Sequence, residues 1–120
     1  MSDLARRRCT PCREGMPSLD AASATALLAR LDGWTIEQGP RLARRWRFRD
    51  FSSALAFVNR IGAIADGEDH HPDITLAWGR VGVELWTHAA RGLTENDFIV
   101  AAKFDEAWAS EAAARQAGRG

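Results

Sequence analysis

Residues 70–88 read His-His-Pro-Asp-Ile-Thr-Leu-Ala-Trp-Gly-Arg-Val-Gly-Val-Glu-Leu-Trp-Thr-His. Ile74, Leu76 and Trp78 alternate with Thr75 and Ala77. Past Gly79-Arg80, Val81, Val83, Leu85 and Thr87 alternate with Gly82, Glu84, Trp86 and His88. Two period-two runs joined by two turn residues predict a β-hairpin. Pro72 disfavours helical geometry at His71, so the first strand is entered extended. Pairing then makes neighbours of His71 and His88, 17 positions apart in the chain.

Working outward, the segment before the hairpin is the most strongly helical. Asp50 is expected to cap a helix whose apolar stripe is Phe51, Ala54, Leu55, Val58, Ile61, Ile64 and Ala65, with Gly67 ending it. Upstream, Leu42, Trp46 and Phe48 alternate with Arg45, Arg47 and Arg49, a half-buried strand. The arginine row reads as a solvated sheet face rather than a nucleic-acid stripe, because no exposed aromatics interleave with it. Trp34–Glu37 is a short strand turned back by Gln38-Gly39-Pro40. A first helix of about 18–31 is expected from Ser18 as N-cap, Ala24, Leu27, Leu28 and Leu31 as its stripe, and Gly33 as its stop.

Downstream of the hairpin, Thr94 with Asp97 three residues on resembles a capping box. Phe98, Ala101, Ala102, Asp105 and Trp108 then recur at helical spacing. The order α-β-β-α-β-β-α predicts an α+β fold, a four-stranded antiparallel sheet with helices packed on one face. Three parts are expected: a flexible N-terminal arm over 1–17, one domain over 18–111, and a frayed tail over 112–120.

Sixteen basic residues balance sixteen acidic ones. No global field therefore draws the chain to nucleic acid or to an anionic membrane. No apolar run is long enough for a membrane span, and the N-terminal arginines are not followed by a signal peptide's apolar region. A cytoplasmic location is the expectation. Cys9 and Cys12 stand in Cys-Thr-Pro-Cys, a spacing shared by redox dithiols and half zinc sites. Neither the strand-then-helix context of the first nor the second pair of the other is present. A reduced pair in a loose arm with no part in the chemistry is expected, and two cysteines cannot make a disulfide framework.

All three histidines, His70, His71 and His88, fall in the segment 66–97. Imidazole is the side chain that exchanges protons near neutrality. Three readings follow from the residues themselves. The histidines could do acid–base work in one cleft, with Asp66 and Asp97 orienting their rings. They could bind zinc or iron with a carboxylate, although adjacent side chains of an extended strand point to opposite faces. Or they could be a polar loop, with Asp97 a helix cap.

The segment resembles the signature of the pterin-4a-carbinolamine dehydratases. Its elements here are Asp66, His70-His71-Pro72, Trp78, Thr87-His88 and Gly92-Leu93-Thr94 followed by Asp97. The Cys-x-x-Cys arm, Gly33-Trp34, Phe48-x-x-Phe51 and the final helix are similar to those of bacterial members. Three departures are visible. Asp66 stands where many members have glutamate, Arg91 where many have the first of two glycines, and Trp78 where tyrosine is common.

The resemblance implies dehydration of a 4a-hydroxy-tetrahydropterin to the quinonoid dihydropterin, a hydro-lyase step of tetrahydrobiopterin recycling after an aromatic amino acid hydroxylase. It implies His70 and His88 as general acid and base and His71 as the residue that positions the pterin. Asp66 and Asp97 would orient the rings, and Pro72, Trp78 and Trp86 would contact the substrate. No cofactor and no metal is implied. A homodimer or homotetramer is, and the alternative is a non-catalytic dimerisation or assembly module of the same fold.

Overall fold

The computed structural model describes residues 3–118 of 120, with side chains through residue 111. Helix α1, Ala21–Leu28, starts later than the Ser18 reading because Asp20 is the N-cap, its Oδ1 accepting the Ser23 N–H at 2.7 Å. The chain leaves α1 through Gly33 at φ 82°. A Cβ there would stand 3.0 Å from the Arg44 guanidinium carbon. Only glycine makes that turn without strain.

Strands β1 (Thr35–Glu37), β2 (Arg41–Arg47), β3 (Asp73–Ala77) and β4 (Arg80–Leu85) form one sheet in the order β1-β2-β4-β3, every pair antiparallel. The hairpin expected over 73–85 is therefore present, with its second strand central. Leu42 faces Leu85 and Trp46 faces Val81 across β2 and β4, and all four are buried. The α-β-β-α-β-β-α order and the four-stranded antiparallel sheet match the reading of the sequence.

Helix α2, Phe51–Glu68, is capped by Asp50, whose Oδ1 accepts the Ser53 N–H at 2.8 Å. Its buried face is Ala54, Phe57, Ile61 and Ala65. The expected stripe is thus corrected: Phe57 lies under the sheet, while Phe51 and Leu55 are 44% and 40% exposed. Two apolar stripes of helical period overlap in this segment, and periodicity alone cannot say which one the sheet takes. Phe57 is chosen because it packs edge-on to Trp46, ring centroids 4.9 Å apart.

The end of α2 is not at Gly67. Asp69 adopts the left-handed conformation at φ 53°, its N–H returning to the Asp66 carbonyl, while the His70 N–H reaches the Ala65 carbonyl at 3.1 Å. This pair of bonds is a Schellman motif, and it anchors the backbone of His70 to the helix end.

Helix α3 is Glu95–Gly118. Its backbone thus continues through most of the tail expected over 112–120, of which residues 119 and 120 lie outside the described residues. From Phe98 to Ala102 every residue is buried. A helix apolar on all sides must be covered on all sides. The sheet and α2 cover one side, and the arm covers the other. Leu4–Arg6 form a short 3-10 turn with Leu4 fully buried, and Lys103 Nζ donates to the Ala5 carbonyl at 2.7 Å. Inward-facing Asp105 is satisfied by Arg44 at 2.6 Å and by the Trp34 indole N–H at 2.7 Å. Burial still raises its pKa against both partners. Among the described residues no helix is long and apolar enough to cross a membrane.

Candidate active site

The hairpin sets the site's frame. Asp73 faces Glu84 across β3 and β4, so the His70-His71-Pro72 entry and the Trp86-Thr87-His88 exit lie at the same end. Asp97, in the first turn of α3, closes that end. It is fully buried and makes three contacts with its two oxygens. Oδ2 accepts the Thr94 N–H at 2.9 Å and the Thr87 hydroxyl at 2.9 Å, while Oδ1 lies 2.6 Å from His70 Nε2. The first of these is half of the expected capping box. The Thr94 hydroxyl does not complete the box. It turns to the Thr87 hydroxyl at 2.8 Å, and it is the donor there because the Thr87 proton is already committed to Asp97.

His70 is buried with 6% exposure. In the neutral ring, a carboxylate at Nε2 places the proton on that nitrogen and leaves Nδ1 as the acceptor. Across from Nδ1 stands the Cys12 Sγ, at 3.8 Å. Both ring nitrogens of His70 are therefore engaged.

His71 and His88 are placed differently. His71 is exposed, and its Nε2 lies 3.1 Å from Asp66 Oδ1 on a still more open carboxylate. An ion pair this exposed orients a ring and adds little stability. His88 opens a 3-10 turn, His88–Ala90, with its ring centroid 4.5 Å from that of Trp86. The Arg41 guanidinium lies over the Trp86 ring, 4.5 Å from its centroid. Trp86, His88, Arg41, Arg91, Gly39 and Pro40 line a cavity of about 300 Å³. Pro72 leads into β3, partly buried. Trp78 stands at the turn end of the hairpin, seven residues along from His71 and 69% exposed. The structure thus gathers the three histidines, Asp66, Asp97, Pro72 and Trp86 at one end and leaves Trp78 at the other. Among the described residues no three of His, Cys, Asp and Glu converge as metal ligands would.

Three participants were not legible in the motif. Asn96 is a buried polar residue, and Arg41 is a strand residue that only the fold brings to Trp86. The third is Cys12. The arm does not stand away from the site. Asn96 clamps it, Oδ1 accepting the Thr10 N–H at 3.0 Å and Nδ2 donating to the Thr10 carbonyl at 2.7 Å, and Gly15 N–H reaches the Ala89 carbonyl at 3.1 Å. The all-round apolar run 98–102 was the one signal that something had to cover α3.

The chain's sequence and fold match known proteins. The family model described as pterin 4 alpha carbinolamine dehydratase matches residues 17–107. A protein of Rubrobacter xylanophilus, provisionally named a pterin-4-alpha-carbinolamine dehydratase, is 46% identical over 105 residues, 88% of this chain and 98% of its own length. A like-named protein of Azoarcus sp. is 45% identical over 88% of this chain and 92% of its own. The crystal structure of a transcriptional coactivator/pterin dehydratase from Brucella melitensis superposes with a TM-score of 0.71 at 35% identity, covering 75% of this chain and 97% of that one. A pterin dehydratase-like RuBisCO assembly factor of the alpha-carboxysome shares the fold at a TM-score of 0.54 and 24% identity, over 63% of this chain and 89% of its own. The chain belongs to the pterin-4a-carbinolamine dehydratase family.

Proposed function

We propose that the protein dehydrates a 4a-hydroxy-tetrahydropterin to the quinonoid dihydropterin, releasing water, as a step of tetrahydrobiopterin recycling after an aromatic amino acid hydroxylase. The observation that supports it most is the placement of the three histidines at one end of the hairpin, one of them held by a buried carboxylate. A carbinolamine needs little help: the ring nitrogen's lone pair expels the neighbouring hydroxyl once that hydroxyl is protonated. A second group takes a proton from the ring, and the site returns to its starting state.

His88, exposed beside the flat Trp86, is the proposed acid, and the cavity it lines with Trp86 and Arg41 is the proposed seat of the pterin edge. His70 is the proposed base, its Nδ1 lone pair fixed by the Asp97 contact at Nε2. The Cys12 thiol covers that lone pair, so it must move aside for the substrate. His71 and Asp66, open to solvent, position the pterin. Trp78 at the far turn has no part in this arrangement within one chain. Exposed Phe51 and Leu55 on α2, together with the open edge of β3, support a homodimer or homotetramer, to be measured by light scattering.

The test is dehydration of a synthetic carbinolamine by the purified full chain against the spontaneous rate. His70→Ala and His88→Ala should each lower turnover about tenfold or more, the usual worth of a positioned acid or base. The double variant should approach background, and chelators should leave the parent unchanged. No turnover above background by the folded parent would turn the reading toward a non-catalytic assembly module, a role that one protein of this fold is named for.

A further inference from the structure

The dehydration assigns no task to the two cysteines, the only ones in the chain and both free. They are not equivalent. Cys9 is half-buried, its N–H donating to Glu68 Oε1 at 2.8 Å and its Sγ 3.7 Å from the Asn96 carbonyl. Burial, and then the Glu68 carboxylate, push its thiol up to about 12. Cys9 therefore stays protonated at neutral pH, and a protonated thiol does not attack.

Cys12 is exposed, with its Sγ facing His70 Nδ1 at 3.8 Å and accepting the Asn96 Nδ2–H at 3.6 Å. Behind it, Asp97 holds the far nitrogen of His70 at 2.6 Å. Nucleophile, base and orienting carboxylate thus stand in series. That is the arrangement by which a thiol is made reactive, because the base takes its proton and the carboxylate steadies the imidazolium. The Asn96 clamp on Thr10 fixes the arm's backbone two residues before Cys12. The residues matched by the family model begin at 17, so this thiol lies outside them.

We propose that Cys12 is a nucleophilic thiol activated by His70 and Asp97, and the site at which the protein is reversibly modified by disulfides of low-molecular-weight thiols. In the step, the Cys12 proton passes to His70 Nδ1 and the sulfur attacks one sulfur of the disulfide. A new S–S bond forms and the old one breaks. The departing thiolate collects the proton from His70, so one thiol and one disulfide become a mixed disulfide and one small thiol. Cys12 sulfur is oxidised and the departing sulfur is reduced. Protonated Cys9 is slow to attack the adduct, which persists until an external thiol reverses it.

The test uses the full chain with Cys9→Ser, in which Cys12 is the only thiol, and an aromatic disulfide (dithiobis-nitrobenzoate) whose released thiolate is coloured. At neutral pH the folded chain should react about tenfold faster than the same chain in urea. An ordinary thiol is only a few per cent ionised there, and lower intrinsic nucleophilicity takes back part of the gain from full ionisation. His70→Gln should abolish the advantage. The far-ultraviolet thiolate absorption of the parent, absent in Cys12→Ser, reads the same ion pair with His70 untouched, and it decides the matter if the His70 variant does not fold. Equal folded and unfolded rates, a folded His70→Gln chain as fast as its parent, or no thiolate absorption would overturn the proposal. None of these readouts depends on dehydration.

Discussion

Asp97 serves the helix and the histidine with one carboxylate: Oδ2 takes the Thr94 N–H at the start of α3, and Oδ1 meets His70 Nε2 at 2.6 Å. The two roles cannot be separated by position, but they differ in what they demand. The cap needs an acceptor, and the histidine needs a negative one. Asp97→Asn keeps one acceptor oxygen and places an N–H₂ group where a donor already points. With the residue fully buried, that mismatch should lower stability by about 2–3 kcal/mol, seen as a shifted urea midpoint. Turnover should fall as well, at temperatures where the variant is fully folded. An unshifted midpoint would show that the carboxylate's contacts carry little weight.

Leu4 makes the arm part of the core. Its side chain is fully buried beside α3, so Leu4→Ala should destabilise by about 2–4 kcal/mol, as core leucine truncations do. Chemical denaturation with an unchanged m-value measures it. A loss below half a kilocalorie, on the order of an ordinary surface substitution, would mean that the arm can leave without exposing the helix.

Asp69 and Arg91 both sit in the left-handed region, at φ 53° and 54°. Side chains with a Cβ are strained there, by about 1–2 kcal/mol for most residues and less for aspartate. Asp69→Gly should therefore raise stability by about 0.5 kcal/mol, and Arg91→Gly by about 1 kcal/mol. The Arg91 case also explains why many family members carry glycine at this place. A lowered thermal midpoint in the Arg91 variant would mean that its guanidinium gives back more than the backbone strain removes.

The elements that sequence made legible share one property: each has a period or a cap that acts locally. The hairpin alternation, Asp50 and the Thr94–Asp97 spacing are of this kind. What failed was long-range. Phe57 against Phe51 and Leu55 is settled by which stripe the sheet covers. The Cys12 approach to His70 depends on an arm that crosses α3, and nothing within the arm signals where it lands. The histidine cluster was visible as a list of residues, yet only the structure separates the buried ring of His70 from the two exposed ones.

Cys9 gives a pH dependence with a definite sign. Its thiol is pushed from the ordinary 9.0 to about 12 by burial and by Glu68. Between those values the unfolded chain releases the proton and the folded chain keeps it, so stability falls as pH rises through the window. Below pH 9 the contribution is fully present. Cys9→Ala removes this dependence, so its denaturation midpoint should fall less steeply between pH 9 and 12 than that of the parent. Parallel curves for the two chains would mean that the thiol ionises equally easily in both states.

His71 and Asp66 offer the cleanest separation of function from stability. Both are open, at 57% and 84% side-chain exposure, so their 3.1 Å contact contributes almost nothing to the fold. His71→Ala should leave the thermal midpoint unchanged. Its proposed task is to hold the pterin rather than to move a proton, so it should raise KM with a smaller effect on kcat. Asp66→Asn should act in the same direction but more weakly, because it removes only the restraint on the ring. Asp66→Glu restores the carboxylate one methylene further out, the residue common in the family, and should return KM to the parent value. A His71→Ala variant that instead loses kcat with KM intact would make His71 a proton carrier and leave the buried His70 as the residue that holds the site together.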